Sequence, residues 1–123
     1  MSLIVYPYQR NPTTNAIEST PIKPNEPHND LFGFESWRSK VWGSSSINNL
    51  GCTILFSLKH QDIYVENETL HQLKKEIELV KDNITIVSEE LKTDSSAIEL
   101  RLNNALEAIR IAIINKNYGV YID

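Results

Sequence analysis

The segment from residue 70 to residue 91 carries the strongest regular pattern in this chain of 123 residues. Its apolar side chains recur at alternating intervals of three and four positions, the spacing of one face of an α-helix. The residues that follow this spacing are Leu70, Leu73, Ile77, Val80, Ile84, Val87 and Leu91. The pattern predicts a helix over about 68–91. Residues 83–87 are rich in β-branched side chains, which disfavour helix, so a weak point or a break is expected there.

A second helix is predicted over about 96–114. It opens with Ser96 followed by Glu99, which has the form of a capping box. Its apolar positions are Ile98, Leu102, Ala105, Leu106, Ile109, Ala112 and Ile113. This stripe is wider than one narrow seam requires. We therefore expect a homodimer in which the stripe pairs with a second copy of the chain.

Four short segments are predicted to be strands. Residues 52–58 alternate between two faces with the period of a half-buried strand, and a polar turn would join them to 63–66 as a hairpin. Residues 118–122 are rich in β-favouring side chains, and so are residues 3–6. Pro7 is expected to end this first strand, because proline has no amide hydrogen to donate to a sheet.

These elements predict an α+β fold, in which a small antiparallel sheet is covered by a helical hairpin. A further short helix is expected over 34–42, where apolar side chains recur at helical spacing before Gly43. The length suits a single domain spanning 1–123. All five prolines lie in the first 27 residues, so 9–30 is expected to be an extended proline-rich arm, either wrapped on the domain or mobile.

Both tryptophans of the chain lie in the predicted short helix, beside an arginine. Tryptophan and arginine are enriched in the residues that dominate protein interfaces. Trp37, Arg38 and Trp42 are therefore the candidate partner-binding residues. Trp42 lies off the predicted apolar face of the helix and is expected to be the exposed ring. The alternative is that these aromatic rings fill the core of a small domain.

Residues that could carry catalysis or bind a metal are few. Cys52 is the only cysteine and is predicted to be a small buried hydrophobe rather than a nucleophile. His60, Asp62, Glu66 and His71 could meet in a loop, but their spacing matches no established zinc or calcium pattern. We therefore expect no catalytic residue, no metal and no cofactor.

The chain carries 12 basic and 16 acidic side chains, for a net charge of −4. The excess lies in residues 61–123, which hold 7 basic and 12 acidic residues. No basic cluster is present, which disfavours a nucleic-acid partner. The acidic residues of the predicted helices are expected to be solvated surface, or else a surface for a basic partner. They are Glu76, Glu78, Asp82, Glu89, Glu90, Glu99 and Glu107.

The first residues lack the charged region and the long apolar run of a signal peptide. No stretch approaches the roughly 18 apolar residues of a membrane helix. A single cysteine fits a reducing compartment. A cytoplasmic protein without membrane contact is therefore expected.

The sequence favours a small non-catalytic protein that binds a protein partner. Its narrower form is an immunity- or antitoxin-type inhibitor of a basic partner. One alternative is a small-molecule-binding domain or enzyme, with a pocket between sheet and helices and with His60 or His71 as the acid or base. That pocket would be lined by Trp37, Trp42, Tyr64 and Tyr121. The other alternative is a structural protein that associates with itself through the heptad seam.

Overall fold

A computed structural model describes residues 1–123. A five-stranded antiparallel sheet and five helices confirm the α+β fold. The strands are β1 (Ser2–Arg10), β2 (Ile17–Ser19), β3 (Leu31–Phe34), β4 (Ile63–Glu66) and β5 (Tyr118–Ile122). The helices are α1 (Ser45–Asn49), α2 (Thr53–Phe56), α3 (Asn67–Asp82), α4 (Ile84–Leu91) and α5 (Ser95–Ile114). None of these helices combines the length and the apolar character that crossing a bilayer requires.

The sheet has the strand order β2-β1-β5-β4, and β3 also pairs with β1. β1 and β5 are therefore the central strands. β2 pairs with residues 8–10 of β1, whereas β3 pairs with residues 2–4. β4 pairs with β5 and not with the segment that precedes it in the chain.

Pro7 lies in the middle of β1, so the prediction that it ends this strand is wrong. The amide of Ile4 donates to the carbonyl of Asp123, next to β5, at 2.8 Å. Alternate residues of an antiparallel strand bond to opposite neighbours, so the amide position of Pro7 faces away from β5. On that side β3 ends its pairing at Ile4 and β2 begins at Tyr8. The proline falls opposite the gap between them and removes no hydrogen bond from the sheet.

The predicted strand at 52–58, with its hairpin to 63–66, is also wrong. The segment forms α2 and then a 3₁₀ turn at Ser57–Lys59. Cys52, Leu55 and Leu58, which recur at every third position, are its fully buried side chains. A run of seven residues fits a spacing of two as well as a spacing of three, and this segment follows the spacing of three.

A buried carboxylate from α3 fixes the start of α2. Glu76 is 2% exposed, and its side chain accepts hydrogen bonds from the amides of Ile54 at 3.2 Å and Leu55 at 3.0 Å. The first amides of a helix have no partner within the helix, so an acceptor placed there stabilises it. The expectation that Glu76 is solvated surface is therefore wrong.

The predicted helix at 34–42 is present only in part. Phe34 ends β3, and one π-helical turn follows at Arg38–Trp42. Gly33 has a φ of +104°, and a Cβ atom there would lie 2.4 Å from the ring of Trp37. The chain turns at this glycine, where other residues would be strained and would clash.

The two long helical patterns are confirmed. Residues 68–91 form α3 and α4, and the expected weak point is a break at Asn83. Residues 96–114 lie within α5, which is capped by Asp94 and not by Ser96. α5 packs against β1 and β5 on one side and against α3 and α4 on another. This position buries most of the apolar stripe within one chain, although Leu106 is only partly buried and Ile113 is 38% exposed. The homodimer stays a prediction.

The proline-rich arm wraps onto the domain. Its first residues belong to β1, and β2 lies within it. Further along, the amide of Asn25 donates to the carboxylate of Glu107 at 2.6 Å, and the amide of Asn29 donates to the side chain of Asn104 at 3.1 Å. Glu107 is 7% exposed and also pairs with Arg110, so its assignment to solvated surface is wrong.

One cluster of 25 buried hydrophobic residues joins the helices to the sheet. The sheet contributes alternate side chains from β1, β4 and β5 to this cluster. They are Leu3, Val5, Ile63, Val65, Val120 and Ile122. Because side chains of a strand alternate between its faces, the intervening residues point to the opposite face.

Candidate functional site

The face of the sheet turned away from the core carries four tyrosines, and we call it the tyrosine face. Tyr6 and Tyr8 lie on β1, Tyr64 on β4 and Tyr121 on β5. In the strand register Tyr121 lies directly opposite both Tyr6 and Tyr64. Three neighbouring strands therefore place one ring each in a single row.

The four rings form a continuous aromatic surface. The Tyr64 and Tyr121 ring centroids are 6.0 Å apart and stacked, and those of Tyr6 and Tyr121 are 6.5 Å apart. The Tyr8 ring touches the group from the side, 6.1 Å from Tyr64 and 6.3 Å from Tyr121. Tyr64 is 54% exposed, Tyr6 and Tyr121 are partly exposed, and Tyr8 is buried.

The ion pair between Arg10 and Glu66 holds the buried Tyr8 ring in place beside its neighbours. Its hydroxyl donates to the carboxylate of Glu66 at 2.5 Å, and the guanidinium of Arg10 donates to the same carboxylate at 2.6 Å. The hydrogen bond from Arg10 lowers the pKa of Glu66. Burial, with the nearby Glu66 carboxylate, raises the pKa of Tyr8. The positive charge of Arg10 is therefore paired with the carboxylate of Glu66 within the tyrosine face.

Gly119 makes this arrangement possible. It lies opposite both Tyr8 and Glu66 in the sheet. A Cβ atom at this position would lie 2.6 Å from Glu66 Cγ and 2.6 Å from Tyr8 Cζ. The absence of a side chain on β5 lets the hydroxyl of Tyr8 reach the carboxylate across the strand.

Carboxylates border the other end of the row. Burial raises the pKa of Tyr121, and the negative charges of Asp123 and Asp30 raise it further. Burial likewise raises the pKa of Asp123; the negative charge of Asp62 raises this pKa further, and the positive charge of Arg38 lowers it. The sheet pairing places these residues together, because Asp123 exchanges backbone hydrogen bonds with Ile4 of β1 and Asp62 directly precedes Ile63, which pairs with Ile122. This end of the tyrosine face therefore holds a group of acidic side chains.

Arg38, the candidate partner-binding arginine, is engaged within the chain. Its guanidinium donates to the carboxylates of Glu35 at 2.9 Å and Asp62 at 3.0 Å. It also donates to the carbonyls of Leu58 and Gln61, each at 3.0 Å. Four hydrogen bonds use most of the five N–H groups of an arginine. The side chain is 19% exposed, and its role in partner binding stays a prediction.

The two tryptophans lie in the core. Trp42 is fully buried, so the expectation that it is the exposed ring is wrong. Its indole N–H donates to the carbonyl of Phe32 at 3.0 Å, and its ring stacks on that of Phe32 at 4.3 Å. Trp37 is 8% exposed and packs against Trp42 and Arg101. Their packing fits the alternative in which these rings fill the core.

The pocket predicted between sheet and helices does not form from the expected residues. Trp37 and Trp42 belong to the buried core, whereas Tyr64 and Tyr121 lie on the outer face of the sheet. The tyrosines line two separate surface depressions, and neither tryptophan lines one of them. The structure therefore does not bring the four side chains together.

Cys52 is buried, as predicted. Burial raises the pKa of its thiol to about 11, with a further contribution from the Glu76 carboxylate. Of the acidic and histidine side chains weighed as metal ligands, Glu66 is bound by Arg10, and His60 and His71 are exposed. No group of three or more such side chains is arranged to hold a metal ion.

Sequence reasoning did not single out Tyr6 or Tyr8. The signal that points to them is the alternation in β1, where Leu3 and Val5 face the core and Tyr6 and Tyr8 fall on the other face. No protein-family model matches this chain, and no curated protein and no solved structure shows a significant match to it.

Proposed function

We propose that the protein is a small non-catalytic interaction domain that binds a basic protein partner through the tyrosine face. The observation that carries this proposal is a row of one exposed and two partly exposed tyrosines on the sheet face opposite the core, bordered by carboxylates. Tyrosine suits such a surface, because its ring contributes a large contact area and few rotatable bonds must be ordered on binding.

The charge around the row supports a basic partner. Asp30 and Asp123 lie near one end and form none of the salt bridges of the chain, whereas Arg10 is paired with Glu66 and Arg38 with Glu35 and Asp62. A positive surface would be attracted to this end and would associate faster at low salt. Aromatic sheet faces also bind RNA bases in some domains. A phosphate backbone would meet negative charge here, which favours a protein.

A narrower form of the proposal is an immunity- or antitoxin-type inhibitor that covers a basic surface of a toxin. Its support is by analogy of class, since such inhibitors are often small, acidic and free of cofactors. The chain has 123 residues and a net charge of −4. In this form the partner is an enzyme whose activity falls in proportion to the amount of protein bound.

Capture of partners by the full chain, before and after loss of one ring, tests the proposal. The wild-type chain, Tyr64→Ala and Leu100→Ala are each exposed to lysate of the organism that encodes the protein. Leu100 is the matched control, because it is 50% exposed but lies on α5, away from the sheet face. We expect a basic protein that is retained by wild type and by Leu100→Ala, and released at about 0.5 M salt.

The purified partner is then titrated with each variant. Loss of a tyrosine that dominates an interface typically weakens binding about tenfold or more, and Tyr64 is the most exposed ring of the row, so this loss is expected for Tyr64→Ala alone. The association rate should fall as salt is added. A partner that binds wild type and Tyr64→Ala equally well contradicts the proposal. So does an association rate that does not depend on salt.

A further inference from the structure

A depression of about 300 Å³ lies at one end of the tyrosine face, where β1 and β5 meet β2 and Asp30, the residue before β3. Tyr6, Tyr8 and Tyr121 contribute its aromatic lining. Glu18 and Asp30 contribute two carboxylates to its rim. Aromatic rings and carboxylates thus meet in one surface depression.

The depression has no cation of its own. None of the four salt bridges of the chain involves Asp30 or Glu18. Asp30 is partly buried, held beside β1 by the hydrogen bond from the Val5 amide to its backbone carbonyl at 2.8 Å. Arg10, the nearest cation along β1, is bound to Glu66. A partly buried carboxylate gains from a cationic partner that displaces its water.

We propose that this depression is a binding subsite for one arginine side chain of the protein partner. The planar guanidinium stacks on the rings of Tyr6 and Tyr121 and donates to the carboxylate of Asp30. Arginine suits the site better than lysine does, because its flat, weakly hydrated head stacks on aromatic faces and forks onto a carboxylate. An anionic or purely apolar group leaves the carboxylates without a partner.

This inference deepens the proposed function and rests on it for the identity of the ligand, but the subsite itself can be tested without the partner. The probe is N-acetylarginine amide, titrated into the isotope-labelled full chain and followed by amide NMR spectra. N-acetylnorleucine amide is the neutral control ligand. We expect saturable shifts at Tyr6, Asp30 and Tyr121 with the arginine probe, and none with the neutral one.

Two matched variants test whether the charge of Asp30 contributes to binding of the arginine probe. Asp30→Asn keeps the shape of the side chain and removes its charge, and Glu99→Gln makes the same change at an exposed position of α5. Affinity for the probe should fall about three- to fivefold in Asp30→Asn and stay unchanged in Glu99→Gln. The amide spectrum of each variant reports whether it is folded.

Three results overturn the subsite: no saturation, shifts spread over the acidic helix surfaces, or equal affinity of Asp30→Asn and wild type. If a partner still depends on Tyr64 under any of these results, the subsite fails and the proposed function stands. If the probe binds at Asp30 but no partner depends on the face, the proposed function fails and the subsite stands.

Discussion

Glu76→Ala is predicted to destabilise the protein more than removal of any solvated carboxylate on the same helix. The side chain is 2% exposed and accepts hydrogen bonds from the Ile54 and Leu55 amides. These are the amides that open α2, and no carbonyl of the helix can reach them. Alanine would leave both N–H groups without an acceptor, that of the buried Leu55 and that of the partly buried Ile54.

The magnitude follows from these two groups. A buried donor left without its partner costs about 1–3 kcal/mol. Relief of the desolvation of the carboxylate offsets part of the sum, so we expect a net loss of about 3 kcal/mol. Unfolding entropy is about 2.1 cal/mol/K per residue, so a chain of 123 residues loses about 4 °C of Tm per kcal/mol and about 12 °C in total. Glu76→Gln retains one acceptor oxygen and should lose about half as much.

Urea unfolding of wild type, Glu76→Ala, Glu76→Gln and Glu78→Ala measures these losses. Glu78 is exposed on the same helix, and its loss should change the unfolding free energy by no more than about 0.5 kcal/mol. Amide hydrogen exchange supplies a local readout, with faster exchange at Ile54 and Leu55 in Glu76→Ala. Equal losses in Glu76→Ala and Glu78→Ala would refute the assignment of Glu76 as the cap of α2.

Two further predictions concern a buried thiol and a paired carboxylate. Cys52, whose pKa burial raises to about 11, should react with a thiol reagent at pH 8 far more slowly in the native chain than in urea; fast labelling of the native chain would contradict its burial. The pKa of Glu66 is lowered in the folded protein, mainly by the hydrogen bond from Arg10. The stability it contributes is therefore present above its unfolded pKa of about 4.3 and is lost as the pH falls through the folded value. In urea unfolding at a series of pH values, the difference between wild type and Glu66→Gln should shrink below about pH 4; a difference that does not vary with pH would count against this ion pair.

The elements that were predictable from the sequence are those with a long repeated pattern. α3, α4 and α5 each belong to a run of about twenty residues with one apolar face, so many positions agree on the same period. The segment at 52–58 offered only seven residues, and its start depends on Glu76 in another helix. The place of Pro7 within β1 is not predictable for a related reason, because the gap between β2 and β3 that admits it is a feature of the assembled sheet.

The candidate site was hidden because its residues come from distant parts of the chain. Tyr6, Tyr64 and Tyr121 are ordinary surface residues when each is read alone. They become a row only through the pairing of β1 with β5 and of β5 with β4. The register between paired strands cannot be read from the sequence of any single strand. Trp37 and Trp42 lie together in the sequence and drew attention for that reason, although a small core requires such rings.

The buried side of the sheet determines what its exposed side displays. Val5, Val65 and Val120 face the core, and they alternate with the tyrosines along the same three strands. A shift of β5 by one residue would turn Val120 outward and Tyr121 into the core, which the packing of α5 does not permit. The register that buries the valines thus also aligns the three exposed rings. Because each ring ends in a hydroxyl, the row remains hydrated in the free protein and yields apolar area when a partner covers it.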